Sequence, residues 1–455
     1  MDIKSIKFGG TSMGSAKSIM TCANIIKREA IQNDIIVVVS AVSGVTDLLL
    51  EIIFLAQKQK PRLATIKVSK IEQLHNKILF KIIDNEKQAV DIWIQDFDLL
   101  FKRLKAIISG VSLVGDLTNK TKALICAFGE KLSSQLMRHA LNKIGINNKR
   151  VEAEKIIRTD SDYLDSKVLF KSTTSACRAV LAPMLAEKTT PIVTGFIGKD
   201  THGDTTLLGR GGSDYTASII AIALKAASIE IWTDVSGIMS ADPRVVENPI
   251  CWRDLDVELM SEMAYSGAKV IHPATITLAI QKNIPVYVFN TFDQEFKGTK
   301  ITNKVNSKAR GIVASTDYIL IVLEHPTIID HVGFISKAAN IVTKYNISID
   351  VCSTSEISFT FSIKAQDYSK KLHRDLAEIA NVRIIKKVTK ICIIGYQISR
   401  KQLLLSNVFA LTAQNNIKIH AVSISASYHN ITLIIDNKDK DKTVQILHRG
   451  CVEKG

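Results

Sequence analysis

Ile3-Lys4-Ser5-Ile6-Lys7-Phe8-Gly9-Gly10-Thr11-Ser12 opens the chain and reads as a short apolar strand running into a glycine turn. A second turn of the same kind, Gly209-Arg210-Gly211-Gly212-Ser213-Asp214, opens the helical stretch Tyr215 to Lys225. Paired glycines let the backbone come close to a ligand, and the helix beyond offers unpaired N–H groups and the positive end of its dipole. One such turn is weak evidence of a site. Two, one following a Lys and one containing an Arg, point to a shared pocket for a phosphate and a second anion.

Working outward, candidate strands Ile3–Phe8, Ile35–Ser40, Ile192–Phe196, Ile229–Thr233 and Val286–Asn290 alternate with helical patterns such as Ala16–Ile31 and Ser133–Lys143. Near-continuous β-branched runs between helices predict an α/β fold with a mostly parallel sheet covered on both faces. Ligands of such sheets sit beyond the carboxyl ends of the strands. Both glycine turns and Ser40-Ala41-Val42-Ser43-Gly44 occupy that position. Residues 66 to 108 read as long polar helices with a structural duty only.

The last 140 or so residues repeat. Asn346-Ile347-Ser348-Ile349-Asp350 is echoed 70 residues later by Asn416-Ile417-Lys418-Ile419-His420, and Ser353 and Ser355 by Ser423 and Ser425. Strands Ile319–Leu323 and Ile357–Ile363 in one copy correspond to Ile391–Ile394 and Ile431–Ile435 in the other. The period is too long for a solenoid and fits two small βαββαβ modules, helices on one face of an antiparallel sheet. Neither copy holds a catalytic-looking cluster, so binding or assembly is its expected duty.

Composition narrows the class. The 455 residues suffice for two or three domains, and 46% apolar with 23% charged residues suits a soluble globular protein. No apolar run reaches the roughly 20 residues of a membrane span, and the N-terminus enters a strand without a signal region. Seven dispersed cysteines without a Cys-x-x-Cys pair argue for a reducing cytoplasm and against a zinc site or a disulfide frame. The net charge of +15 is spread along the chain rather than patched, which argues against nucleic acid.

On their own, these residues suit phosphoryl transfer between two anionic reactants. Lys7 would lie near the phosphates, and Arg210 could grip a carboxylate with two parallel hydrogen bonds. Asp214, at a helix start, could orient lysines or help hold magnesium. Glu130 could meet a substrate ammonium.

The chain resembles the aspartate kinases, within the amino-acid kinase (carbamate-kinase-like) fold family. The resemblance runs almost end to end. It rests on Lys7-Phe8-Gly9-Gly10-Thr11-Ser12, Ser40 to Thr46, Gly129-Glu130-Lys131-Leu132-Ser133, Gly195-Phe196-Ile197-Gly198, Leu208 to Asp214, Trp232 to Ile238, Ala241-Asp242-Pro243-Arg244 and Gly267 to Pro273. It implies transfer of the ATP γ-phosphoryl group to the side-chain carboxylate of L-aspartate, giving 4-phospho-L-aspartate, with Mg2+ bridging the phosphates. That product opens the route to lysine, threonine, methionine and diaminopimelate. The acceptor carboxylate, with a pKa of about 3.9, is ionised at neutral pH and needs no general base. Fixed positive charge and oriented N–H donors must instead bring one anion against the other.

By resemblance, Lys7 and Asp214 are catalytic: Lys7 stabilises the transferring group and Asp214 organises the cations. Ser40, Thr46, Glu130, Arg210 and Ser213 bind aspartate, Arg210 at its carboxylate and Glu130 at its ammonium. Lys7, Gly9, Gly10, Thr11, Thr233, Asp234, Arg244 and Lys269 hold ATP. Met239 stands where many relatives carry Tyr, so no adenosine-stacking role is carried over to it. The implied domains are a kinase domain over 1–300 and two modules, similar to ACT modules, over 315–388 and 389–455, with interleaving of the two left open. L-Lysine is the implied effector, bound by Ser348, Ile349, Asp350, Thr354, Ser355 and Glu356; two acids suit a ligand with an α-amino and a distant ε-amino group. The second copy carries His420 and Ala426 at the matching offsets and is expected to support pairing, giving a homodimer or homotetramer. The chain ends after this copy, leaving no room for a fused homoserine dehydrogenase.

A plainer reading stands beside each residue: a helix cap for Glu130, surface charges for Arg244 and Lys269, strand ends for Asp350 and Glu356, and helix entry for His272. Rival functions are another amino-acid kinase, acting on glutamate or a nucleoside monophosphate, and a lysine-binding ACT sensor whose kinase domain is inactive. Intact Lys7, Arg210 and Asp214 weigh against the sensor.

Overall fold

The computed structural model describes residues 1–268, 271–303, 309–324, 333–424 and 427–453. The chain forms two compact units, Met1–Ile238 with Val270–Val305 and Met239–Lys269 with Asn306–Gly455.

In the first unit, β1 (Asp2–Phe8), α1 (Ala16–Glu29), β2 (Asn33–Val39) and α2 (Val45–Gln57) follow the expected alternation. A helical block comes next: α3 (Pro61–Ile83), α4 (Glu86–Ile92), α5 (Asp98–Val114), α6 (Asn119–Cys126) and α7 (Phe128–Lys143), with a short π-helix between α4 and α5. Then come β3 (Asn148–Val151), α8 (Phe170–Ala186), β4 (Thr190–Thr194), the hairpin β5 (Ile197–Lys199) and β6 (Thr205–Leu207), α9 (Gly212–Leu224) and β7 (Ser228–Thr233). Two elements of the second unit follow, β8 (Asp254–Asp256) and α10 (Val257–Ser266), before the first unit resumes with α11 (Pro273–Gln281), β9 (Val286–Asn290) and β10 (Thr299–Thr302).

Strands of this unit lie in the order β3-β4-β2-β1-β7-β9-β10, parallel throughout except that β10 runs antiparallel to β9. The last four residues of β1 and the last five of β2 are buried, as the Ile/Val runs predict for strands covered on both faces. α1 begins with a capping box between Ser15 and Ser18 and carries Lys27 and Arg28 in its last turn, where cations suit the helix dipole. The helices expected to be merely polar also fill the core: Ile71, Leu79, Phe101 and Leu104 are buried within it.

The second unit contains a sheet built from β11 (Arg310–Glu324), β12 (Cys352–Thr354), β13 (Ser358–Lys364), β14 (Asn381–Gly395), β15 (Ile419–Ile424) and β16 (Asn430–Asp436). Helices α12 (Phe334–Lys344), α13 (Lys370–Ala377), α14 (Gln402–Gln414) and α15 (Lys440–His448) complete it. The order is β12-β13-β11-β14-β16-β15, every pair antiparallel. The sequence echo is structural: Asn346 and Asn416 each follow a helix in the left-handed conformation, φ 54° and 55°.

Strands β11 and β14 serve both repeats. Residues 318–324 of β11 pair with 381–388, whereas 310–315 pair with 390–395, so the start of β11 joins the second repeat. The changeover is marked by a register shift between Ser315 and Tyr318 and by left-handed Asp317 and Lys387, φ 65° and 57°. One core gathers Ile321, Phe361 and Leu372; the other gathers Ile391, Leu404, Val444 and Leu447, together with Ala241 and Val246.

Candidate active site and effector segment

Several of the expected residues meet where the parallel strands end. Lys7, next to last in β1, reaches Asp214 in the first turn of α9, Nζ to Oδ1 2.6 Å, both side chains 11% exposed. Gly9 donates its N–H to the Trp232 carbonyl, and a Cβ placed on Gly9 would lie 3.8 Å from Lys7 Nζ and 3.7 Å from Thr233 Oγ1. The end of β7 thus borders the Lys7 ammonium. Gly10 packs against the backbone of the turn after β2, and its carbonyl accepts the Ser43 N–H.

Residues expected on the substrate side gather around that same turn. Glu130, in the first turn of α7 and 4% exposed, accepts the Ala41 N–H on Oε1 at 3.1 Å, while Oε2 is buried with no hydrogen-bond partner. Burial pushes its carboxyl up to about 8, although the Ala41 N–H and the nearby Lys7 charge pull the other way. Ser133, one turn on, donates to the Ser40 carbonyl at 2.7 Å and so fixes the turn. At the end of β4, Gly195 leaves space for Ser213: a Cβ there would stand 2.6 Å from Ser213 Oγ and 2.9 Å from the Val39 carbonyl. Gly209 is required for conformation, with φ +71°, and Arg210 beside it is exposed.

Thr11 and Asp234 are exposed, and Thr46 is half-buried in the first turn of α2. Thr233 donates to Asp234 at 3.1 Å. Arg244 belongs to the second unit, where its 84% exposed side chain makes several hydrogen bonds to Asp242. Lys269 lies outside the described residues, as do Ser425 and Ala426 of the second repeat. His272 directly precedes α11, whose first residue is Pro273, in keeping with a helix-entry role.

Three supporting residues escaped assignment from sequence although all fall inside quoted motifs: Ser133, Gly195 and Ser12, which hydrogen-bonds the Trp232 carbonyl and Thr291. Ser12 and Gly195 share a signal, a small residue just beyond a parallel strand, whereas Ser133 lies within α7.

In the effector segment, Ser348 is exposed and Ile349 half-buried. Thr354 ends β12, Ser355 hydrogen-bonds Ser358, and Glu356 is exposed in the turn before β13. Asp350 is tied to Lys390, Oδ2 to Nζ 2.6 Å, a partner not expected from the sequence.

Comparison with known proteins gives a consistent picture. Residues 4–290 match the model of the amino acid kinase family, and residues 391–450 an ACT domain. Lysine-sensitive aspartokinase 3 of Escherichia coli (strain K12) is 28% identical over 98% of this chain and 98% of its own length. The crystal structure of E. coli aspartokinase III in complex with lysine and aspartate (T-state) is similar with TM-score 0.84 at 27% identity, covering 99% of each chain. The same enzyme with aspartate and ADP (R-state) gives TM-score 0.80 at 26% identity, over 99% of this chain and all of that one.

Proposed function

The chain belongs to the amino acid kinase family, and on that premise we propose that it is an aspartate kinase, transferring the ATP γ-phosphoryl group to the side-chain carboxylate of L-aspartate under feedback control by L-lysine. The observation that carries this is the Lys7–Asp214 pair at the end of β1, joined through the Ala41 turn to the buried carboxyl of Glu130. An ammonium placed for phosphate and a carboxyl placed for an amino group are the two fixed charges the reaction calls for. The matched E. coli structures hold aspartate, lysine and ADP, the ligands this reading requires.

In the proposed mechanism Glu130 receives the α-ammonium of aspartate and Arg210 its α-carboxylate, while Ser40, Thr46 and Ser213 line the side-chain carboxylate. Lys7, aimed by Asp214, stands against the γ-phosphoryl group. A carboxylate oxygen forms the new P–O bond as the bond to the β-phosphate oxygen breaks, and ADP leaves with the electron pair. No proton changes hands at the acceptor. Lys7 offsets the negative charge shared by the phosphoryl oxygens, which is where catalysis of this class acts. Gly9, Gly10, Thr11, Thr233 and Asp234 are assigned to the nucleotide; Arg244, paired with Asp242 in the second unit, and Lys269, outside the described residues, keep that assignment from the sequence resemblance alone. Magnesium, when bound, neutralises phosphate charge. Asp214, engaged by Lys7, fits the task of orienting that lysine better than that of ligating the ion.

The effector would sit on Ser348, Ile349, Asp350, Thr354, Ser355 and Glu356. A kinase domain within 1–300, from which Met239–Lys269 group with the second unit, interleaved ACT modules beyond it, self-association through those modules and a cytoplasmic location complete the proposal. Among the described residues all seven cysteines are free thiols and no helix is long and apolar enough to cross a membrane.

The test is ADP release from Mg-ATP with and without L-aspartate, the acyl phosphate being trapped as a hydroxamate, followed by addition of L-lysine. Aspartate-dependent turnover suppressed by L-lysine is expected. Absence of aspartate-dependent turnover would refute the kinase; turnover indifferent to L-lysine would refute the effector assignment.

A further inference from the structure

The carboxylate expected to greet the effector already has an ammonium on it. Lys390 lies at the point where β14 passes from the first repeat to the second, one residue before the matched ACT domain begins. Its side chain is only 4% exposed, yet Nζ reaches out to Asp350 Oδ2 at 2.6 Å. Asp350 is 33% exposed, and its backbone is held to β13 through the Ser362 carbonyl. The tie therefore runs from the first repeat, which carries the effector segment, to the strand that begins the second.

The surroundings make this pair exchangeable. Lys390 Nζ stands 5.4 Å from the centroid of the buried Tyr318 ring, an alternative partner for a displaced ammonium. A second ammonium, Lys364, lies 3.8 Å from the same ring and donates to Ser315. Tyr318 and Ser315 flank one register shift of β11, which contains left-handed Asp317, and left-handed Lys387 lies in the next shift, between the Tyr318 and Leu320 pairs. Two successive irregularities, one in each strand and each carrying a non-glycine residue at positive φ, interrupt the pairing at this junction.

We propose that Lys390 is an internal competitor for the effector site: its ammonium holds Asp350 until a free amino acid supplies one of its own, and the exchange unties the two repeats at the β11/β14 junction. This deepens the effector assignment above and rests on it. Two cations on one carboxylate repel each other, so a ligand ammonium arriving on Asp350 weakens the hold of Lys390 there. Effector binding is thereby charged with breaking the tie. That gives it differential affinity for the tied and untied states, which any ligand-driven shift requires.

The experiment is calorimetric titration of L-lysine into the full chain, comparing wild type with Lys390→Met and Lys390→Arg, with aspartate-dependent turnover as the check on folding. Lys390→Met should bind L-lysine about tenfold more tightly, within the ordinary range of coupling between sites. Lys390→Arg, which keeps the cation, should stay near wild type. Lys390→Gln, neutral and still able to hydrogen-bond, replaces a Met variant that fails to fold. Wild-type binding with equal or weaker binding in the neutral variants overturns the competitor role and leaves the effector site standing. Absence of L-lysine binding in every variant overturns the effector assignment itself, and this inference with it.

Discussion

In its proposed role, the buried carboxyl of Glu130 should make aspartate binding a proton-linked event. With its carboxyl near 8, only about one tenth of the free protein carries the carboxylate at pH 7, whereas about nine tenths does at pH 9. An ammonium ligand binds the ionised fraction, so the apparent dissociation constant for L-aspartate is the intrinsic one divided by that fraction. Affinity should fall about tenfold from pH 9 to pH 7 and about tenfold again to pH 6. Close to one proton should be released per aspartate bound at pH 7, measurable by calorimetry in buffers of different ionisation enthalpy. Glu130→Gln should bind weakly and lose both the slope and the proton. Folding supplies a second readout. The folded-state value lies above the ordinary 4.5, so between those limits the native chain holds a proton that the unfolded chain releases. Stability therefore falls as pH rises through that window, by about 5 kcal/mol when complete, and Glu130→Gln should flatten that fall. Aspartate affinity that is level from pH 6 to 9, or binding without proton release, would refute the reasoning.

Replacing Lys7 by Met or Asp214 by Asn should lower kcat about 10²- to 10³-fold, and the double variant should unfold at a higher temperature than Lys7→Met alone, because it leaves no uncompensated buried charge. Gly195→Ala should raise KM for aspartate and cost about 1–3 kcal/mol, read by steady-state kinetics and thermal unfolding, since its Cβ would stand 2.6 Å from Ser213 Oγ. Asp350→Asn or Glu356→Gln should abolish inhibition by L-lysine in the hydroxamate assay, each removing a charge proposed to meet a ligand ammonium, and Glu356→Gln, exposed in its turn, should leave kcat for aspartate within about twofold.

The parallel sheet was legible because its strands are short, β-branched and buried on both faces; the five strands expected from sequence are β1, β2, β4, β7 and β9, with small shifts at their ends. The turns were legible because glycine at positive φ, as at Gly209 and Gly211, has few substitutes. What stayed hidden depends on partners distant in sequence. Nothing local tells that Met239–Lys269 groups with residues beyond 306, because Ala241 and Val246 are ordinary apolar residues until Val444 and Leu447 pack on them. The double duty of β11 was hidden for a related reason: Arg310–Ser315 and Tyr318–Glu324 differ in their partners, not in composition. Lys390 offered one hint, a cation entering the apolar run Ile391–Ile394, and it took the fold to bring Asp350 against it.

In their proposed roles, Glu130 and Asp350 meet the same physical problem by different means. A carboxylate meant for an ammonium ligand must wait without that ligand, and an unpaired charge in a partly buried site is costly. Glu130, 4% exposed, waits by holding a proton; Asp350, 33% exposed, waits by holding Lys390. Each device weakens binding by the cost of removing the resident cation, yet their consequences differ. A proton leaves into water and moves nothing, so the substrate side keeps its geometry, as catalysis requires. An ammonium on β14 stays attached to the strand that joins the repeats, so its release is felt beyond the ligand. If both assignments hold, aspartate affinity should depend steeply on pH and little on Lys390, and L-lysine affinity the reverse. A Lys390→Met variant whose aspartate titration keeps the wild-type pH slope, while its L-lysine affinity rises, would separate the two devices in a single protein.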